Sequence, residues 1–141
     1  MTARIFSLSF LFSVFIQASP YPNVIFVLAD DLGIGDVSPT NPDCRIKTPH
    51  LQKMADEGIT FLDAHSSSSV CTPTRYGVLT GRYNWRSRLA RGVLSGTSEH
   101  LIPAERATVA HLLQSVGYHT QMIGKWHLGW DWACLLYTSD A

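Results

Sequence analysis

The amino-acid sequence predicts an α/β fold with a mainly parallel sheet. Short apolar runs alternate along the 141-residue chain with segments of helical periodicity, and that alternation is typical of strand–helix–strand units. The first run, residues 24–29, is apolar without interruption and rich in β-branched residues. Such a run is typical of a strand buried on both faces, as in a parallel sheet.

Capping signals place the first helix after a Gly- and Pro-containing loop at residues 33–47. Thr48 suits the N-cap and Pro49 the first helical position, while Gly58 suits the position past the end. The helical spacing of three apolar residues predicts an inward stripe made of Leu51, Met54 and Ala55.

Similar signals predict two more helices and two more strands. A helix is expected over 72–79, with Pro73 near its start and Gly81 past its end. Another is expected over 108–116, where Gly117 serves as the cap. Short strands are predicted over residues 59–62, after the first helix, and 119–123, after the third.

Composition excludes some functional classes. Lys plus Arg number 11 and Asp plus Glu number 11, so the formal charge is zero and gives no reason to expect a nucleic-acid partner. The three cysteines are an odd number without close pairing, which does not describe a disulfide framework.

Residues 1–18 have the pattern of a secretory signal peptide. Arg4 precedes an apolar stretch over 5–16, and Pro20 follows a small-residue segment. The stretch is short for a bilayer, which needs about 20 residues, although an uncleaved anchor is the alternative. We therefore expect the secretory pathway, with an extracellular, periplasmic or lysosomal destination and no stable membrane association.

The remaining chain is expected to comprise residues 19–133 as one catalytic segment and residues 134–141 as a tail. The tail sequence CLLYTSDA has no link to the preceding pattern and resembles translated adapter sequence. We interpret it as a segment that is not native.

Asp30 and Asp31 directly follow the first predicted strand. Ligands of open α/β sheets bind beyond the carboxyl ends of strands, and adjacent carboxylates repel each other unless a cation neutralises them. A hard divalent cation bound through oxygen would do so. The alternative is a solvated loop.

Cys71 and Arg75 stand at the start of the second predicted helix. Helix starts bind sulfate and phosphate through free N–H groups, and a guanidinium one turn along can clamp an oxyanion. The residues alone thus leave open a thiol nucleophile in an anion site or a structural cysteine beside a surface arginine.

Two longer motifs carry a family resemblance. Residues 69–75 (SVCTPTR) with 78–82 (VLTGR), and residues 117–127 with their GKWH ending, resemble the two signatures of the formylglycine-dependent, arylsulfatase-like sulfatases. Asp30 and Asp31 are similar to that family's amino-terminal metal pair. The resemblance extends over about residues 23–129.

This resemblance implies a fold and a reaction. The fold would be part of an alkaline-phosphatase-like sandwich, truncated, since the family's second His, second Lys and Asp–Asn metal pair come further along. Cys71 would be oxidised by formylglycine-generating machinery to Cα-formylglycine. One hydroxyl of the hydrated aldehyde would attack a sulfate ester, and the other would let the aldehyde re-form and expel sulfate.

The resemblance also implies residue roles. Asp30 and Asp31 would ligate Ca²⁺ together with an oxygen of modified Cys71. Arg75 would hold the formylglycine hydroxyl, and Lys125 would reach the sulfate oxygens. His127 would act as the base, pointing the same way as Lys125 if the segment is extended.

The expected substrate is a sulfated small molecule or carbohydrate. A phosphomonoester or phosphonate hydrolase of the same superfold is an alternative, as is an inactive truncated fragment. A further group of arginines, Arg82, Arg86, Arg88 and Arg91, either attracts anionic substrates or forms a solvated face.

Overall fold

A computed structural model describes residues 21–131 of the chain, which contain three α-helices and two single-turn 3₁₀ helices. The α-helices are α1 (Pro49–Glu57), α2 (Cys71–Thr80) and α3 (Val109–Ser115). The 3₁₀ turns are Ile34–Asp36 and Asn84–Arg86. The three predicted helices are confirmed, each within one residue at either end. The predicted signal peptide 1–18 and the predicted tail 134–141 lie outside the described residues, as do residues 19, 20, 132 and 133.

Helix α1 begins and ends where the sequence predicts, but its N-cap works differently. The Thr48 side chain makes no capping bond; instead its Oγ1 accepts the N–H of Ser38 at 2.9 Å, while Ser38 Oγ accepts the N–H of Thr48 at 2.9 Å. This reciprocal pair holds the preceding loop to the helix start. The predicted inward stripe is wrong for the described part of the chain, because Met54 is 68% exposed and nothing covers that face.

Helix α2 ends at a glycine that adopts a left-handed conformation. Gly81 has φ 63°, and its N–H donates to Gly77 O at 2.9 Å, which is a frequent way for a helix to satisfy its last carbonyls. Gly77 itself lies against the segment before the helix, since an added Cβ would overlap the Ser67 side chain. The helix is thereby held close to residues 66–69.

A small core lies beneath α2. Tyr76, Leu94, Leu101 and Leu128 are buried together, and Leu79, Leu89, Ile102 and Trp126 pack partly against them. This core joins α2 to the chain that follows it and to the segment around residue 128. It therefore fixes the position of residues 125–128 relative to the start of α2.

Backbone contacts reinforce that connection. The Leu101 N–H donates to Leu128 O at 2.7 Å, and the Trp130 N–H donates to Ser98 O at 3.1 Å. Glu99 and Trp130 form an isolated parallel bridge. Gly129, at φ 79°, is needed there because a Cβ would collide with the Glu99 backbone.

The predicted parallel sheet is not confirmed, because residues 21–131 contain no β-strand beyond that bridge. The run 24–29 was expected to be buried on both faces, yet Ile25 is 87% exposed. The runs 59–62 and 119–123 are similarly open, with Ile123 also 87% exposed. A strand of a parallel sheet is buried by neighbouring strands and by helices on both faces, and no described segment supplies these to the three runs.

No helix between residues 21 and 131 has the length and apolar character needed to cross a bilayer.

Candidate active site

Three segments converge at the amino-terminal end of α2. Asp30 and Asp31 come from the loop after the run 24–29, Cys71 and Arg75 come from α2, and Lys125 comes from the segment that the core holds in place. Lys125 lies 95 residues from Asp30 in sequence, and its Nζ donates to Asp30 Oδ2 at 2.8 Å. The structure thus brings together residues predicted from two separate motifs.

Asp30 is at the centre of the charge arrangement. Besides the bond from Lys125, Asp30 accepts a hydrogen bond on Oδ1 from Arg75 Nη2 at 3.3 Å. The hydrogen bond from Lys125 is the main reason that the pKa of the Asp30 carboxyl is below its usual value, and Arg75 adds to the effect. Both Asp30 and Lys125 are about two-fifths exposed, at 44% and 43%, so solvent screens this pair and its contribution to stability is small.

Cys71 is the first residue of α2, where the helix dipole favours negative charge. Its Sγ lies 3.3 Å from Lys125 Nζ and 3.8 Å from Asp30 Oδ1. The Lys125 ammonium therefore contacts both the carboxylate and the sulfur. These contacts, with Asp30 first and Cys71 second, raise the pKa of Lys125.

Arg75 is one turn further along α2 and is held more firmly than Lys125. Its side chain is only 13% exposed, and its guanidinium donates to the Lys125 carbonyl as well as to Asp30. The Nε atom is buried without a hydrogen-bond partner within the described residues. Arg75 thus fixes the backbone that carries Lys125 and keeps one donor unused.

Asp30, Asp31 and Cys71 form a group that could hold a cation, because one ligand atom from each lies within 4.8 Å of the others. Ca²⁺ prefers oxygen ligands at 2.3–2.6 Å, and the two carboxylates fit that preference. The thiol sulfur of Cys71 does not, since soft thiolates select other metals. The residues present therefore fit Ca²⁺ only in part, and an oxygen at position 71 would complete the match.

His127 is placed differently from the prediction. The segment is not extended at this residue, because His127 has φ 52°, so the argument that its side chain points the same way as Lys125 is wrong. His127 Nε2 lies 2.9 Å from Leu94 O, and since a carbonyl only accepts, Nε2 carries the proton. The other nitrogen, Nδ1, is buried without a partner among the described residues.

Thr72 is a site residue that the sequence interpretation missed. It is fully buried; its Oγ1 donates to His127 O at 2.9 Å and accepts the Leu94 N–H at 3.3 Å. Together with the His127–Leu94 bond, this hydroxyl ties the start of α2 to two distant segments. A threonine next to Cys71 in the motif was the available signal, but its partners lie 22 and 55 residues away in sequence.

A cavity of about 300 Å³ opens beside these groups. Asp30, Asp31, Cys71 and Arg75 contribute to its wall, together with hydroxyls that the sequence interpretation also missed: Ser66, Ser68, Ser69 and Thr74. The arrangement combines the Cys71 thiol, the Arg75 guanidinium, two carboxylates and several hydroxyls around a space that has room for a small oxyanion.

Comparison with known proteins places this chain in a family. The family model described as Sulfatase matches residues 22–134. The chain belongs to the sulfatase family. The sulfatase signatures at residues 69–82 and 117–127 lie within the matched range.

Several curated sulfatases are similar to this sulfatase chain at about 40% identity. An N-acetylgalactosamine-6-O-sulfatase of Bacteroides thetaiotaomicron is 43% identical over 80% of this chain and 22% of its own length. Human arylsulfatase G is 43% identical over 77% of this chain and 20% of its own. Human steryl-sulfatase is 40% identical over 86% of this chain and 22% of its own.

A solved sulfatase structure shares the fold of the described residues. It comes from work on the metabolism of multiple glycosaminoglycans by Bacteroides thetaiotaomicron and aligns with TM-score 0.74 and 43% identity, over 79% of this chain and 23% of the other. The chain therefore spans about a fifth of the length of the sulfatases it matches. The likeness to a sulfatase of the alkaline-phosphatase-like superfamily supports the predicted superfamily, while the predicted parallel sheet stays unconfirmed in residues 21–131.

Proposed function

We propose that this sulfatase hydrolyses sulfate esters of small molecules or carbohydrates through a formylglycine made from Cys71. The observation that carries the proposal is the meeting of Cys71, Asp30, Arg75 and Lys125 within hydrogen-bond distances, in a chain of the sulfatase family. The relatives act, by their names, on sugar, aryl or steroid sulfates, so the family leaves the alcohol part of the ester open.

The aldehyde hydrate of formylglycine would supply a hydroxyl nucleophile and a second hydroxyl through which the product can leave. A cysteine thiol at the same position has only one nucleophilic atom. The start of α2 would orient residue 71 toward the cavity, and its unpaired N–H groups would favour an anionic substrate there.

Lys125 and Arg75 would bind and orient the sulfate group. Lys125 Nζ already touches Cys71 Sγ at 3.3 Å, so it lies where both residue 71 and a bound sulfate oxygen can be contacted. Arg75 holds Asp30 and the Lys125 backbone in position. Electrostatic groups of this kind, fixed before the reaction, typically contribute ~10²–10³ in rate each.

Ca²⁺, when bound, would neutralise the sulfate oxygens during the reaction. Asp30 and Asp31 would hold it, with an oxygen at residue 71 completing the donor set described above. In this state the Lys125 ammonium would give up part of its contact with Asp30 and become available to substrate, since Asp30 Oδ2 cannot serve both cations equally well.

His127 would move a proton at Nδ1. The bond from Nε2 to Leu94 O keeps the proton on Nε2 and leaves a lone pair on Nδ1 in the neutral ring. The proposed base is therefore His127 Nδ1. The Thr72 hydroxyl donates to the His127 carbonyl and so fixes the backbone of His127.

The test uses the protein produced from its complete gene together with formylglycine-generating machinery. Hydrolysis of an aryl sulfate and of the matching aryl phosphate is measured side by side. We expect faster turnover of the sulfate, loss of that activity in Cys71→Ala, and retention of it in Cys44→Ala, the other described cysteine, which lies away from the site and contacts Ser38 and Ile46.

The outcomes separate the candidate functions. Preferential hydrolysis of the phosphate would favour the phosphomonoester hydrolase instead, and equal activity of the Cys71→Ala variant would remove Cys71 from the mechanism. For the metal, Asp31→Asn should lower the rate by ~10²–10³ and raise the Ca²⁺ concentration needed for half-maximal activity. A rate independent of both Ca²⁺ and this substitution would contradict the cation role.

A further inference from the structure

A second cavity lies at the opposite end of α2 from Cys71. It has a volume of about 210 Å³ and is lined by Tyr76, Arg82, Arg86, Arg88, His100 and Arg106, with Ser87, Leu101 and Pro103. We call Arg82, Arg86, Arg88 and Arg106 the arginine pocket. A ten-residue helix is about 15 Å long, and the two cavities share no lining residue.

The arginine pocket concentrates positive charge that no carboxylate in residues 21–131 pairs with. Within residues 21–131 none of its four arginines forms an ion pair with a carboxylate. Glu99 and Glu105 are near in sequence but form no such pair. The carboxyl end of α2 offsets only about half an elementary charge. Four guanidiniums around one small space therefore repel each other unless an anion joins them.

The donors of the pocket are partly fixed and partly unused. Arg88 is anchored, because its Nη2 donates to the backbone carbonyls of Glu99 and His100. Arg82 Nε is buried without a hydrogen-bond partner among the described residues, whereas buried polar groups are normally paired. A pocket that combines anchored and unpaired guanidinium donors is suited to a ligand that only accepts hydrogen bonds.

We propose that the arginine pocket binds a tetrahedral oxyanion of the sulfate class. The planar guanidinium fork matches two oxygens of such an anion. The cavity is large compared with the roughly 30 Å³ that a water occupies in the liquid, so it has room for the anion and for part of a molecule attached to it. The inference is independent of the reaction at Cys71, because the pocket uses none of the groups of that site.

Two kinds of ligand offer such an oxyanion: the free sulfate ion, and a sulfate group carried on a sugar. Calorimetric titrations with sodium sulfate and with galactose 6-sulfate distinguish them, with sodium chloride adjusted to hold the ionic strength constant. The protein from the complete gene carries Cys71→Ala, so that the sugar sulfate is not consumed. Unsulfated galactose is the blank for the sugar ring.

The pocket is tested in that background with Arg86→Gln/Arg106→Gln, which leaves Arg82, whose Nε is buried, in place. The matched control is Arg45→Gln/Lys47→Gln, which removes the same charge from the exposed loop before α1. Thermal melts check that both variants fold. Arg106→Gln alone repeats the measurement with a smaller change.

We expect the pocket variant to bind at least one probe about tenfold or more weakly, with the control variant unchanged. Weaker binding of sodium sulfate to the pocket variant shows that the free ion suffices. Weaker binding of galactose 6-sulfate alone shows that the sugar is part of the ligand. Both results support the pocket. Absence of binding, or an equal change in the pocket and control variants, overturns the proposal, whatever activity the Cys71 site shows.

Discussion

Lys125 is the residue on which most of the site chemistry converges. Its ammonium contacts the carboxylate of Asp30 and the sulfur of Cys71, and its carbonyl is held by Arg75. In the absence of a metal ion it balances one of the two adjacent carboxylates. The same residue is therefore expected to stabilise the unmodified site and to bind substrate in the mature one.

The first prediction at this scale concerns the pKa of Asp30 in the metal-free protein. Because Lys125 is the main cause of the lowered pKa, Lys125→Met should raise it toward the model-peptide value of 3.8. Carboxyl-carbon NMR titration measures this shift, and Lys53→Met, which removes an exposed pair on α1, should leave it unchanged.

The sign of the linked stability follows from the direction of that shift. A lowered folded-state pKa of Asp30 stabilises the native state above the unfolded value of 3.8, and the contribution is lost as the pH falls through the lower folded value. If wild type and Lys125→Met have the same free energy of unfolding both above and below this pH range, solvent screens the Asp30–Lys125 pair completely. An Asp30 pKa that is equal in both proteins would contradict the contact itself.

The second prediction concerns Thr72. Thr72→Val keeps the shape but leaves His127 O and the Leu94 N–H without their partner, so it should destabilise the fold by about 1–3 kcal/mol. Thr72→Ser retains the hydroxyl and should restore most of that loss. Urea unfolding of the two variants and the wild type makes the comparison. Equal stability of Thr72→Val and the wild type would show that the hydroxyl does not tie α2 to Leu94 and His127.

At the scale of elements, α2 organises both ends of the described structure. Its first residue belongs to the candidate active site, its buried face supplies Tyr76 to the core, and its last turn leads to the arginine pocket. Close approach to the preceding serine segment is possible because position 77 has no side chain. The placement of the serine hydroxyls around the cavity thus depends on a glycine.

This dependence gives a prediction for Gly77→Ala. In an exposed helix interior the change would stabilise by about 1 kcal/mol, but here the added methyl group meets the Ser67 side chain, and overpacking costs ~1–3 kcal/mol. We expect net destabilisation in thermal unfolding and partial recovery in Gly77→Ala/Ser67→Gly. Stabilisation by Gly77→Ala alone would mean that the two segments are not in contact.

For the whole molecule, the sequence predicted the helices and most of the candidate site, because capping residues and motifs are local signals. Thr48, Gly81 and Gly117 mark helix ends that the structure reproduces. The role of Thr72 and the orientation of His127 were not predictable, since both depend on Leu94, which the fold brings close from outside the motifs. The expected strands are apolar runs whose burial requires neighbours that residues 21–131 do not supply.

Those exposed runs predict the behaviour of residues 19–141 produced alone. Apolar segments such as 24–29 and 59–62 are open to solvent in the described structure, and unpaired strand-forming segments associate with each other. We expect aggregation or a broad, non-cooperative thermal transition by calorimetry and light scattering. A soluble monomer with a single cooperative transition would show that this part of the sulfatase folds independently.

The most direct test of the proposed chemistry is peptide mass spectrometry of residue 71. The protein from the complete gene is made with formylglycine-generating machinery, digested, and treated with a hydrazide reagent. The proposal predicts that the peptide containing residues 71–75 loses the thiol sulfur and carries an aldehyde that reacts with the hydrazide, while the Cys44 peptide keeps its thiol. A peptide found only with unmodified Cys71 would contradict the formylglycine mechanism.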